Sequence, residues 1–272
     1  MCFSQNNNSN KFESPIDFPI LLSGNFGELR SSGFHSGIDI KTQGKEGIPI
    51  RSIDSGYVSR VQVSTSGFGK VVYIDHGNNI TTVYAHLSEF SDKIEKIMNK
   101  LQYKNKKYEV RKFFKSNELK IGKKEIIGLS GNTGSSFGPH LHFEIRKTDK
   151  ELPINPLYYN FDVKDTIRPY LRSLFLYGIK NGSLRKKQLN LSKVNDSTFT
   201  TGTIKTTDTI GFGIVSYDRQ NKTNNIFGNY KYSLFKNDTL SFELIFDSFT
   251  FSEKPFQKKF IDNEYYVQNR SR

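Results

Sequence analysis

The chain has 272 residues, room for one large domain or two of medium size. Hydrophobic residues make up 35% and aromatic residues 14%, enough for a packed core, and the lone cysteine, Cys2, excludes an intramolecular disulfide and a cysteine-built metal site. The net charge is +13, yet no nucleic-acid-binding motif accompanies it, and no apolar run reaches the length of a transmembrane helix.

Residues 1–14 are polar, Asn-rich and without period, so they read as disordered. Met1 to Gln5 show neither a charged n-region nor an apolar h-region, and no lipobox precedes Cys2; a trimmed export signal and a cytosolic start both fit. Pro15 to Leu22 is a short apolar run, read as an edge strand. Gly24 to Arg30 is a Gly-punctuated loop leading to His35. In His35-Ser36-Gly37-Ile38-Asp39 the spacing of four matches a helix face, but Gly33 and Gly37 oppose a helix. His35 is therefore placed on a loop and Asp39 on the strand after it.

Ile48 to Ile53, Tyr57 to Val63, Lys70 to Asp75 and Ile80 to Ala85 are rich in Val, Ile, Tyr and Thr and predict an antiparallel meander. Ser66-Gly67-Phe68-Gly69 and His76-Gly77-Asn78-Asn79 are the turns, and turn formation is the role expected of His76. From Asp92 to Leu101 the period changes: Ile94, Ile97, Met98 and Leu101 mark an amphipathic helix, with Asp92 and Glu95 spaced as a capping box. Between Asp92 and Lys124 there are twelve Lys/Arg against four Asp/Glu, so most of the positive excess is local. Such a run fits a solvated face, or attraction to an anionic surface. Tyr108 to Phe114 returns to strand character, and Glu125 to Ser130 is the strand before a glycine-rich loop.

That loop, Gly131 to Pro139, leads into His140-Leu141-His142-Phe143-Glu144. Strand side chains alternate, so His140, His142 and Glu144 share one face while Leu141, Phe143 and Ile145 pack into the core. Two imidazoles and a carboxylate suit zinc, and three protein ligands leave a fourth position for water, the pattern of a catalytic site. All five histidines lie in this part of the chain: His35, His76, His86, His140 and His142.

His35-Ser-Gly-Ile-Asp39, Tyr84-Ala-His86-Leu and Gly138-Pro-His-Leu-His142-Phe-Glu together resemble the LytM/lysostaphin-type zinc metallopeptidases. The resemblance covers about Leu22 to Pro156. It implies a compact antiparallel β-sheet domain with a groove across one zinc ion, and hydrolysis of peptide bonds in bacterial peptidoglycan. By position, His35, Asp39 and His142 match the metal ligands. His140 matches the histidine taken as general base, and His86 the second catalytic histidine. Glu144 is a candidate partner for a ligating imidazole. Arg30, Asn132 and Thr133 are candidates to line the groove. The segment between His86 and His140 is longer than in compact members, by the helix and basic strand of 92–120, expected as a wall or lid.

The expected architecture is mainly β. A peptidase domain spans residues 15–161, and an Ig-like β-sandwich spans 162–272 after a linker at Asp162 to Pro169. In that second part Phe242, Phe246, Phe249 and Phe251 are expected at alternating core positions. Its expected role is support, with a wall or protein partner as the other reading. The functional expectation is a zinc endopeptidase acting on peptidoglycan peptides in the periplasm or cell envelope, a location inferred from the substrate. The competing reading is a non-catalytic scaffold that activates a separate wall amidase.

Overall fold

The alternation around His142 is realised in a single central strand, His140–Lys147, of the computed structural model, which describes residues 12–30, 33–180, 183–206, 209–253 and 259–269. Leu141, Phe143 and Ile145 are fully buried on one face. His142, Glu144 and Arg146 take the other. Both edges of this strand are paired antiparallel, by Ile38–Lys41 on one side and Ile80–Leu87 on the other. The sheet continues through Lys70–Asp75 and Gly56–Val63 to Val110–Phe113, and Leu22–Gly24 closes the opposite edge. A smaller sheet of Pro49–Arg51, Ile126–Leu129 and Glu89–Phe90 adds Ile50, Ile127 and Phe90 to the cluster that holds Ile38, Leu141 and Phe143. The expected meander is present from Gly56 to Leu87, while the strand around Ile50 belongs to the smaller sheet.

Register decides which side chains meet. Asp39 lies directly opposite His142, and Ala85 opposite His142 on the other edge. Gly37 is needed for this approach, because a Cβ there would stand 2.3 Å from the Phe143 carbonyl oxygen. On the histidine face, Val71, Tyr73, Val83 and Ala85 form a second, smaller apolar cluster with Phe68 against it.

The helix runs from Asp92 to Asn105 and buries Ile94 and Met98. Its cap differs from the capping-box expectation. Ser91 is the N-cap, its side chain makes no capping bond, and the Glu95 carboxylate instead accepts the Phe90 N–H at 3.1 Å. The carboxylate thus reaches one residue beyond the cap, onto a strand that must be held in place. The basic strand Val110–Phe113 extends the main sheet at the edge remote from Ile38–Lys41. The turn before it is tied to the turn at Thr65 through Glu109, whose Oε1 accepts from Thr65 N at 2.7 Å and Thr65 Oγ1 at 2.6 Å.

Three further expectations are corrected. Pro15 to Asp17 form bends, and the edge strand is Leu22–Gly24. Residues 1–11 lie outside the described residues, but Phe12 to Ser14 are ordered: Phe12 is buried against Tyr159, and Glu13 N–H bonds to the Ile53 carbonyl. Phe242 and Phe251 are exposed, whereas Phe246 and Phe249 are buried. The hairpin Lys231–Lys236 with Thr239–Ile245 pairs only with itself among the described residues; its Tyr232 and Leu244 pack on the main core cluster while Phe242 stays exposed. Phe246 and Phe249 pack instead on Phe34 and Phe26 of the first part of the chain. The rest of the second part comprises the sheet Ser183–Leu189, Tyr170–Lys180 and Thr209–Tyr217, a small hairpin at Ser192–Thr200, and the helix Asn263–Asn269.

Candidate metal centre

Three side chains converge from one loop and two paired strands. His35 Nε2 lies 3.0 Å from His142 Nδ1 and 3.2 Å from Asp39 Oδ1, and His142 Nδ1 lies 2.9 Å from Asp39 Oδ1. All three residues are buried. The protonation pattern follows from their other partners. His35 Nδ1 faces the Asn25 carbonyl at 2.8 Å, which only accepts, so this nitrogen carries the proton and Nε2 is a bare lone pair. His142 Nε2 faces Glu144 Oε1 at 2.8 Å, so it too donates there and leaves Nδ1 bare in the neutral ring.

Two nitrogen lone pairs and a carboxylate oxygen thus point at one another with no proton between them. Zinc bonds of 2.0–2.1 Å at tetrahedral angles would set neighbouring ligand atoms about 3.3 Å apart. The three observed separations fall within about 0.4 Å of that value, so the donor set fits a divalent zinc ion in chemistry and in spacing. Burial pushes the His142 pKa down, but the hydrogen bonds its ring makes to the Asp39 and Glu144 carboxylates outweigh that and raise it. Burial alone would raise Asp39, yet His35, His140 and His142 hold its carboxyl well below the usual carboxylate range.

Behind the donors lies a charged relay. Glu144 is fully buried; burial would raise it, but Arg146, His142 and Ser36 hold its pKa at about 2. Ser36 Oγ donates to Glu144 Oε1 at 2.6 Å, and Arg146 Nε to Oε2 at 2.5 Å. Arg146 continues to Glu151 at 3.0 Å, which in turn bonds Arg60. Asp39 has its own partner: Arg30 Nη2 donates to Oδ2 at 2.6 Å. Arg30 therefore neutralises a candidate ligand.

Two more of the five histidines, His140 and His86, flank the cluster. His140 Nδ1 donates to the Gly138 carbonyl at 2.8 Å, and its Nε2 lies 3.5 Å from Asp39 Oδ1. His86 Nδ1 donates to the Thr133 carbonyl at 2.8 Å. The two ring centroids are 4.8 Å apart. Burial first, and then the neighbouring His142 and His140, push the His86 pKa down to about 3. His86 also sits at φ 62°, where ordinary residues are strained by about 1–3 kcal/mol. The pairing between Lys70–Asp75 and Ile80–Leu87 slips just here, between Lys70 and Val72, and this bulge turns His86 toward the other rings.

Thr133 faces inward: its hydroxyl accepts the Lys70 N–H at 2.9 Å and donates to the Leu87 carbonyl at 2.8 Å. It braces the strand carrying His86. Asn132 keeps its Oδ1 buried, with no hydrogen-bond partner. His76 ties Ser55 to Thr82, away from the cluster, as suits a turn histidine. Sequence reasoning missed Phe68, stacked on His142 at 5.1 Å, as well as Arg146 and Asn25. Arg146 was legible, because it extends the His140, His142, Glu144 alternation by one step. Phe68 gave no signal beyond an apolar residue inside a turn.

Residues 33–103 and 97–156 match Peptidase family M23. The match thus runs over residues 33–156, a little under half of the chain. The DD-carboxypeptidase/endopeptidase Mpg of Neisseria meningitidis serogroup B is 32% identical over 129 residues, covering 47% of this chain and 23% of that protein. The peptidoglycan DD-endopeptidase ShyA of Vibrio cholerae is 28% identical over 159 residues, covering 56% of this chain and 30% of that protein. Among solved structures, the catalytic domain of the prophage-encoded M23 protein EnpA from Enterococcus faecalis superposes with a TM-score of 0.41 at 25% identity, over 56% of this chain and 99% of that one. The chain spans less than a third of the length of these two curated relatives. The matched residues contain all four histidines that meet around Asp39.

Proposed function

We propose that this chain is a zinc-dependent endopeptidase that hydrolyses peptide cross-links of bacterial peptidoglycan. The observation that carries the reading is the triad of bare donors, His35 Nε2, His142 Nδ1 and Asp39 Oδ1, inside the residues that match Peptidase family M23. His35, Asp39 and His142 would hold the ion. When bound, zinc supplies Lewis acidity to the scissile carbonyl and lowers the pKa of a coordinated water.

The chain's own residues supply the rest. His140 has its proton fixed on Nδ1 by the Gly138 carbonyl, so Nε2 is free to take a proton from water and pass it to the leaving amine. His86 is held neutral by burial and oriented by Thr133, and its Nε2 side positions the water. Phe68 covers His142 and keeps solvent from the back of the ring. The substrate assigns the work to the periplasm or cell envelope, and among the described residues no helix is long and apolar enough to cross a membrane.

Metal analysis of the purified protein, with a peptidoglycan digest read by mass, tests this. One zinc per chain and cleaved cross-links are expected. Zinc-free protein that cuts nothing, yet stimulates a wall amidase, would replace this reading with the non-catalytic scaffold.

A further inference from the structure

We infer that the C-terminal segment 218–251 is a positioning part of the metal centre, acting by clamping Asn25, whose carbonyl fixes the ring of His35. The inference rests on the zinc reading above. Asn25 O receives the His35 Nδ1 proton at 2.8 Å, and this bond decides that Nε2 faces the other two donors. The Asn25 side chain is itself held at both ends by a residue 203 positions away: Nδ2 donates to the Gly228 carbonyl at 2.7 Å, and Oδ1 accepts the Gly228 N–H at 3.2 Å.

The strand leading into Asn25 is stitched in the same way. Gln220, 3% exposed, accepts the Leu22 N–H at 2.9 Å and donates to the Ile20 carbonyl at 3.0 Å. Asn225 donates to the Ser23 carbonyl at 3.3 Å. Apolar packing brackets the same bond. Phe26, next to Asn25, lies 5.1 Å from Phe249; Phe34, next to His35, lies 5.3 Å from Phe246 and 5.6 Å from Phe249. Both partners of the ligand-orienting bond are therefore immobilised by residues outside the M23 match. Partners that orient a ligating imidazole typically change metal affinity by 10–100-fold when lost.

The test uses the protein described here as wild type, Asn25→Ala and Asn25→Asp. Zinc affinity is measured by competition with a chromogenic chelator, and ligand geometry from the visible spectrum of the cobalt(II)-loaded protein. Asn25→Ala should weaken zinc binding at least tenfold and shift the cobalt bands while circular dichroism stays native. Asn25→Asp keeps the acceptor for the Gly228 N–H and should recover part of the affinity. It also serves if the alanine variant fails to fold. Folded Asn25 variants with wild-type affinity and spectrum would overturn the clamp. A wild type that binds no zinc would instead overturn the reading beneath it.

Discussion

Replacing Thr133 by Val removes one hydroxyl and leaves the volume almost unchanged. That hydroxyl satisfies two backbone groups, the Lys70 N–H at 2.9 Å and the Leu87 carbonyl at 2.8 Å. A buried polar group left without a partner costs about 1–3 kcal/mol, so two of them, offset by the added methyl, should cost about 2–4 kcal/mol. Thr133→Ser keeps both bonds and loses one methyl, about 1 kcal/mol. Thermal melts should show Thr133→Val roughly 5–10 °C below wild type and Thr133→Ser much closer to it. The same change loosens the Thr133 carbonyl that receives the His86 proton at 2.8 Å. Peptide hydrolysis should fall about tenfold while zinc content stays at the wild-type level, because no donor atom touches Thr133. A Thr133→Val protein that melts with Thr133→Ser and retains full activity would refute the bracing role.

His142→Ala should lose both bound zinc and activity, whereas His140→Ala should keep most of the metal and lose activity; metal analysis beside a muropeptide assay separates the two. Glu144→Gln keeps an oxygen opposite His142 Nε2 but leaves the buried Arg146 with only the half-exposed Glu151 as its anion, so zinc affinity should drop about tenfold and the melting point should fall. The depressed His86 pKa has a definite sign for stability. The unfolded chain takes up a proton on this ring near pH 6.5 and the folded chain only near about 3, so stability is fully present above 6.5 and is lost as pH falls between these values. The slope is one proton, about 1.4 kcal/mol per pH unit, and His86→Gln should remove it from the acid limb of a pH-dependent denaturation series.

The parts of the molecule legible in advance were those governed by local periodicity. The two-residue alternation from His140 to Ile145 identified which side chains face the core, and the 3.6-residue recurrence of Ile94, Met98 and Leu101 located the helix. What escaped was everything decided by distant pairing. Nothing local announces that Asp39 will stand opposite His142, because register is a contest between strands a hundred residues apart. The bulge at His86 was equally hidden: the strand pattern simply ends near Ala85, one residue before the φ reversal that aims the ring. Ser183–Leu189 was passed over because Arg185, Lys186 and Lys187 interrupt any apolar alternation on an exposed edge strand. Arg30 and Thr133 were legible as site neighbours but not in direction, since loop side chains point wherever their partners lie.

The docking of Phe246 and Phe249 bears on where this chain can be cut. The stretch at Asp162 to Pro169 looks like a natural seam, extended and free of regular structure. Severed there, the front portion would show Phe26 and Phe34 to water, and the outer rim of its Leu22–Gly24 strand would lose the Gln220 amide that occupies it. Bared aromatic rings beside an unguarded strand rim are a recipe for sticking to neighbours. The minimal soluble catalytic fragment should therefore extend past residue 251, well beyond the point at which the family match itself stops.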